Sequence, residues 1–171
     1  DAFKIASADI TNLELQKRVA KENKIIFLST GGCNFVDIKR AVKNIQKFHN
    51  KLVILHCTAS YPSEIEDLNL LVIKKLASYF PKNIIGLSDH ENGIDAAPIA
   101  YMLGARVFEK HFTLNRAWKG TDHAFSLERT GLKKFSRNLN RIKLMLGDGK
   151  KKIFKSEIKP IEKMSKSIVA K

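Results

Sequence analysis

The chain has 171 residues, 44% hydrophobic and 28% charged, a balance that supports a packed core and excludes an intrinsically disordered chain. No apolar run approaches the ~20 residues of a membrane span, and no signal peptide opens the sequence. The formal net charge is +14, but the lysines lack the interleaved aromatics of a nucleic-acid module. The excess therefore reads as a Lys-rich surface that also attracts phosphorylated substrates. Cys33 and Cys57 lack CxxC spacing and read as reduced thiols, which fits a cytoplasmic location. The chain begins at Asp1 and enters an apolar run almost at once, which suggests a piece of a longer polypeptide.

Strand and helix patterns alternate along the chain. Phe3–Ala6 reads as a strand and Asn12–Glu22 as a helix. Ile25–Leu28 is a continuous apolar run of the kind buried in a parallel sheet. Asn34 is an N-cap with Asp37 near the positive helix end, and Ile38, Val42 and Ile45 recur at helical spacing. Leu52–Cys57 is the next strand. Ser63–Glu66 reads as a capping box, or as the loop just before a helix striped by Leu68, Val72 and Leu76 and stopped at Pro81. Ile84–Leu87 forms a strand ending in Ser88-Asp89-His90. A short helix near Ile94–Leu103 ends at Gly104, and the strand Arg106–Phe112 follows. A loop through Trp118–His123 leads to a long helix that Ser126 caps, striped by Leu132, Phe135, Leu139, Ile142 and Leu146.

Five βα units joined by short loops predict an α/β fold with a parallel sheet. No G-x-G-x-x-G opens a helix, which disfavours a dinucleotide fold. The alternative is a (β/α)8 TIM barrel, which needs about 250 residues. The units are then the C-terminal five of an incomplete barrel over residues 1–149, and 150–171 reads as a Lys-rich linker. An open five-strand array has two free edges, so association or poor solubility is expected of the chain alone.

In such an array the site lies at the C-terminal strand tips. Those tips carry Ser7; Ser29-Thr30-Gly31-Gly32; His56-Cys57-Thr58; Ser88-Asp89-His90; and His111. Neutral imidazoles from adjacent tips, His90 and His111, can share a divalent cation and leave open positions for oxygen ligands, which suits Mn2+ or Mg2+. Either histidine could instead be a satisfied core residue. Lys4 interrupts an apolar strand, so it either snorkels at an edge or points inward at a phosphate or carboxylate. Ser29–Gly32 offers hydroxyl and amide donors before a helix, and with Lys4 and Ser88 it makes an anion pocket. Asp122 is either a solvated loop residue or an acid/base group near the metal. Tyr61 is either part of a turn or a sugar-facing phenol. His49, His56 and His123 read as structural.

Seven segments taken together resemble the sialic acid synthase (N-acetylneuraminate synthase) family: FKIASAD at 3–9, LSTGG at 28–32, LHCTASYP at 55–62, EDLNL at 66–70, GLSDH at 86–90, EKHFTL at 109–114 and GTDHAFSL at 120–127. The resemblance implies condensation of phosphoenolpyruvate with N-acetylmannosamine or a related amino sugar, with phosphate release. It implies that Lys4, Ser7, Ser29 and Ser88 bind phosphoenolpyruvate, and that His90 and His111 ligate Mn2+. It further implies that Asp122 lies at the reacting centre and Tyr61 in the sugar pocket. The family's first three strands, with a further glutamate, lysine and asparagine, have no counterpart here. Its C-terminal antifreeze-like domain, which completes the other subunit's site in a swapped homodimer, is matched only by Met164–Lys171. Ala59 stands where some members carry a polar residue. Other readings are a metal-dependent barrel aldolase and a non-catalytic Lys-rich binding fragment.

Overall fold

The computed structural model describes residues 1–166, and within it five parallel strands form one sheet in the order β1-β2-β3-β4-β5. The strands are β1 (Ala2–Ile5), β2 (Ile25–Ser29), β3 (Leu52–Cys57), β4 (Ile84–Asp89) and β5 (Val107–Lys110). Between them lie α1 (Leu13–Ala20), α2 (Phe35–Gln46), α3 (Leu71–Tyr79) and α4 (Ala96–Met102), with α5 (Arg129–Leu146) after β5 and α6 (Lys155–Met164) beyond it. Each strand pairs with the next in sequence, so the sheet curls in one direction as a half-barrel rather than doubling back.

Strand alternation sorts the side chains into two layers. Ile5, Ile26, Leu28, Leu52, Ile54, Ile85 and Leu87 join Ile38, Val42, Ile45, Ile73 and Leu76 from the helices in one buried cluster. That cluster supplies most of the apolar burial that holds the fold. The other layer, on the inner face, runs in register as Ser29, Leu55, Gly86 and Val107, then as Cys57, Ser88 and Glu109. Gly86 is required where it stands: a Cβ there would lie 2.5 Å from the Val107 carbonyl oxygen.

The Asn34 expectation holds in detail. Its side chain accepts from the amides of Val36 and Asp37, while the Asp37 carboxylate accepts from the Asn34 amide. Of the two readings at Ser63–Glu66 the structure has the loop before a helix, though α3 begins only at Leu71, so Leu68 lies outside it. Ser63 caps no helix: its hydroxyl donates to the carbonyls of Thr58 and Ser60. Ser126 also caps nothing. Leu127 forms a parallel bridge with Phe112, which holds the chain extended, and the Ser126 hydroxyl donates to the Asp122 carbonyl 2.6 Å away.

Residues 1–140 form one compact unit and a second begins at Arg141, inside α5. The segment read as a linker contains α6, a Lys-rich helix with Pro160 inside it. Residues 167–171 of the Met164–Lys171 match lie outside the described residues.

Candidate active site

Register places the central residues. Ser88 and Glu109 are partners across β4 and β5, so two residues further on His90 and His111 stand side by side at the strand tips. Their ring centroids are 5.2 Å apart. The Tyr61 ring stacks on His90 at 4.1 Å and meets His111 edge-on at 5.8 Å.

His90 is 5% exposed, and its Nδ1 lies 2.8 Å from the Thr58 carbonyl oxygen. A carbonyl only accepts, so Nδ1 carries the proton and Nε2 keeps a free lone pair. Burial also holds the His90 pKa below its ordinary value, so the ring stays neutral. A neutral imidazole with its far nitrogen fixed by a carbonyl is the arrangement of a metal-ligating histidine. His111 Nδ1 faces Asp122 Oδ2 at 3.6 Å. Among the described residues no group of three or more His, Cys, Asp or Glu is spaced to hold a metal ion. The chain thus supplies two imidazole donors rather than a closed shell.

Below the imidazoles lies an anion-handling set. Lys4 Nζ is 3.1 Å from Glu109 Oε1, and the Ser88 hydroxyl donates to the same oxygen at 2.6 Å. Lys4 is therefore both an edge-strand residue and an inward one: 37% of its side chain is exposed and its ammonium reaches across the inner face. Ser29 is 2% exposed and its hydroxyl oxygen is buried without a hydrogen-bond partner. A buried hydroxyl of that kind is costly unless something else satisfies it, which marks it as a ligand contact. Lys4, Ser7, Ser29, Cys57, Tyr61, Ser88, His90, Glu109 and His111 line a single cleft of about 340 Å3.

The loop after β2 differs from the expected amide cradle. The Thr30 amide donates to the Leu55 carbonyl, and the Gly31 amide to Ser7 Oγ at 2.9 Å. Those two donors are spent internally, so this segment offers the cleft a hydroxyl. Ser7 serves mainly to hold Gly31, where a Cβ would lie 2.9 Å from both Ser7 Oγ and Ala59 Cβ. Burial pushes the Cys57 thiol up and raises Cys33 to about 11, so neither provides a thiolate nucleophile near neutral pH.

Lys4, Ser7, Ser29, Tyr61, Ser88, His90 and His111 thus all reach one cleft, with Asp122 at its rim against His111. Glu109 escaped the sequence reading. Its only signal was its place two residues before His111, which puts it on the same strand face.

His56 is structural, as expected: it is 7% exposed and its Nε2 donates to the Leu68 carbonyl at 2.7 Å. Burial lowers its pKa from the ordinary 6.5, so the folded chain binds fewer protons than the unfolded one just below that pH. Stability is then full above about pH 6.5 and declines as pH falls through that value toward the lowered folded pKa. His90 adds to this in the same direction. Melting temperatures are expected to drop between pH 7 and 5, with a shallower drop in His56→Gln. Equal slopes for the two proteins would contradict this.

Comparisons with known proteins agree with this fold. The chain is 44% identical over 173 residues to the N,N'-diacetyllegionaminic acid synthase of Campylobacter jejuni, covering 99% of this chain and 51% of that protein. It is 36% identical over 169 residues to the human N-acetylneuraminate-9-phosphate synthase, covering 99% and 47%. A crystal structure of the N-acetylneuraminic acid synthetase from Leptospira borgpetersenii serovar Hardjo-bovis, in complex with citrate, superposes with a TM-score of 0.82 at 37% identity, covering 95% of this chain and 56% of that one. The chain thus spans about half the length of the relatives it matches. The NeuB family model matches residues 1–151, and the chain belongs to the NeuB family.

Proposed function

We propose that this chain serves to condense phosphoenolpyruvate with an amino sugar to give a sialic-acid-type nonulosonic acid. The observation that carries this reading is the convergence, in one cleft, of an anion-handling set with two adjacent imidazoles. In the reaction C3 of phosphoenolpyruvate bonds to the aldehyde carbon of the open-chain sugar, and the aldehyde oxygen takes a proton. Water adds at C2, and inorganic phosphate leaves with cleavage of the C2–O bond.

Lys4, Ser29 and Ser88 hold the phosphate and carboxylate of phosphoenolpyruvate, and Ser7 keeps the Gly31 turn against them. Hydrogen bonds to a developing anionic leaving group stabilise it most where water is excluded, which suits the buried Ser29 hydroxyl. Tyr61 and Asp122 face the sugar, and Asp122 exchanges protons with it at the cleft rim. His90 and His111 would hold Mn2+ or Mg2+, which when bound supplies Lewis-acid polarisation of the aldehyde oxygen. Lys4 is the one cation of the anion-handling set, and Glu109 already neutralises it. A substrate with two anionic groups therefore calls for further positive charge, from the metal and from the other half of the barrel.

The choice among N-acetylmannosamine, its 6-phosphate and diacetamido sugars rests on groups around Ala59 and Tyr61. The reading also carries a cytoplasmic homodimer whose partners are small-molecule substrates, with neither nucleic acid nor membrane. Two free thiols support the reducing compartment.

The test is phosphate release from phosphoenolpyruvate by this chain. Turnover is expected to be low, and to require both the amino sugar and Mn2+. Cleavage of a sugar acid to pyruvate without phosphoenolpyruvate would overturn the reading in favour of an aldolase. Steeply salt-dependent DNA or RNA binding without phosphate release would favour the Lys-rich binding fragment.

A further inference from the structure

Behind the two imidazoles lies an ion pair that the proposed chemistry does not use. Asp89 and Lys110 are register partners on β4 and β5. Lys110 Nζ is 2.8 Å from Asp89 Oδ2, and the two side chains are 2% and 1% exposed. Taking both charges out of water is costly, and apolar residues of similar volume often serve stability as well or better. Stability alone therefore gives no reason for a pair at this place.

Its position does give one. Asp89 immediately precedes His90, and Lys110 immediately precedes His111. Asp89 Oδ1 accepts from the Glu91 amide at 2.9 Å, and Lys110 Nζ also donates to the Glu91 carbonyl oxygen. The pair therefore holds the backbone of Glu91, the residue after His90, through both its amide and its carbonyl, and ties β4 to the strand that leads to His111. Pleat alternation turns the buried side chains of the ion pair away from the imidazoles, although both residues also border the cleft. Any change in the distance between the charges then becomes a change in the distance between the rings. A salt bridge is short-ranged and directional, whereas apolar packing tolerates slippage.

We propose that Asp89 and Lys110 are positioning residues that set the spacing and tilt of His90 and His111, a role that rests on the metal reading of those imidazoles. The pair is held in the fold for geometry, at some expense in stability.

The test uses Asp89→Asn with Lys110→Met. The asparagine keeps an acceptor for the Glu91 amide, and the methionine keeps the lysine's stem volume. Each single variant leaves one buried charge unpaired and is expected to lower the melting temperature. The double variant is expected to recover it. Two further readouts separate positioning from folding. In imidazole NMR, the ring-current shift that Tyr61 imposes on His90 is expected to change in the recovered double variant. By EPR of free Mn2+, its Mn2+ affinity is expected to fall about 10- to 100-fold, as for other groups that orient metal ligands. A double variant with wild-type melting, imidazole shifts and Mn2+ affinity would overturn the proposal. Should the double variant fail to fold, Asp89→Glu keeps the ion pair but displaces the carboxylate by one methylene. Unmoved imidazole signals in that variant would likewise overturn it. Absence of Mn2+ binding by the unaltered chain would sink the metal reading, and the imidazole shifts would still decide the positioning role.

Discussion

His90→Ala is expected to remove Mn2+ binding and to take metal-dependent phosphate release to background. The chain offers a cation two imidazoles, and deleting one leaves a single imidazole. Groups that merely orient a metal ligand are worth about 10- to 100-fold in affinity, so loss of a ligand itself should cost at least about 100-fold. The substitution also removes one of the two donors to the Thr58 carbonyl, which keeps the Ser63 hydroxyl, and it removes the ring under Tyr61. A lost intramolecular hydrogen bond costs about 0.5–1.5 kcal/mol, so lost binding could be confused with a loosened fold. His90→Asn separates the two effects. The asparagine amide can donate to Thr58 in place of Nδ1–H, but it has no counterpart to the Nε2 lone pair. His90→Asn should therefore melt near the unaltered chain yet bind Mn2+ as poorly as His90→Ala. Mn2+ titration by EPR beside thermal denaturation reads both quantities. Retention of wild-type Mn2+ affinity in His90→Asn would refute the assignment of His90 as a ligand.

The sequence disclosed this site because a parallel sheet converts linear spacing into proximity. Each strand tip lies beside the next, so polar residues at consecutive tips must meet. His90 and His111 were legible on that ground alone, as was the inward Lys4. The half-barrel was legible for a similar reason: apolar runs of strand length alternate with helical stripes, and no signal reverses the winding. Helix starts were harder to place. Ser63 and Ser126 have the chemistry of N-caps, but both sit where tertiary hydrogen bonds hold the chain extended, Ser63 bridged to Glu91 and the residue after Ser126 bridged to Phe112. Local patterns carry no record of such bridges. Glu109 was missed for a different reason. Its meaning depends on Lys4, 105 positions earlier, and the two meet only because the sheet curls. The buried Asp89–Lys110 pair was hidden in the same way, since each charge beside its histidine reads as one facing a substrate and nothing local pairs the two.

Lys4→Met is expected to weaken phosphoenolpyruvate binding by about 10- to 100-fold, the range of a hydrogen bond or ion pair to a charged group. Methionine keeps the stem and removes only the ammonium, so packing on β1 should change little. Glu109 makes the case more demanding. In the structure its carboxylate holds Lys4 at 3.1 Å and accepts from Ser88 at 2.6 Å, so it occupies the place a substrate anion would take. Binding phosphoenolpyruvate then means exchanging one carboxylate for another, and the net gain from Lys4 is smaller than its bare charge suggests. Glu109→Gln tests that exchange. The amide still accepts from Ser88 but no longer neutralises Lys4, so phosphoenolpyruvate binding should tighten as it weakens in Lys4→Met. Isothermal titration of the three proteins at fixed ionic strength reads both signs, and added salt should shrink the differences because Lys4 is partly exposed. Phosphoenolpyruvate affinity unchanged in Lys4→Met would remove this lysine from the anion pocket. Equal weakening in both variants would instead show that Lys4 and Glu109 act as one unit that the substrate joins rather than divides.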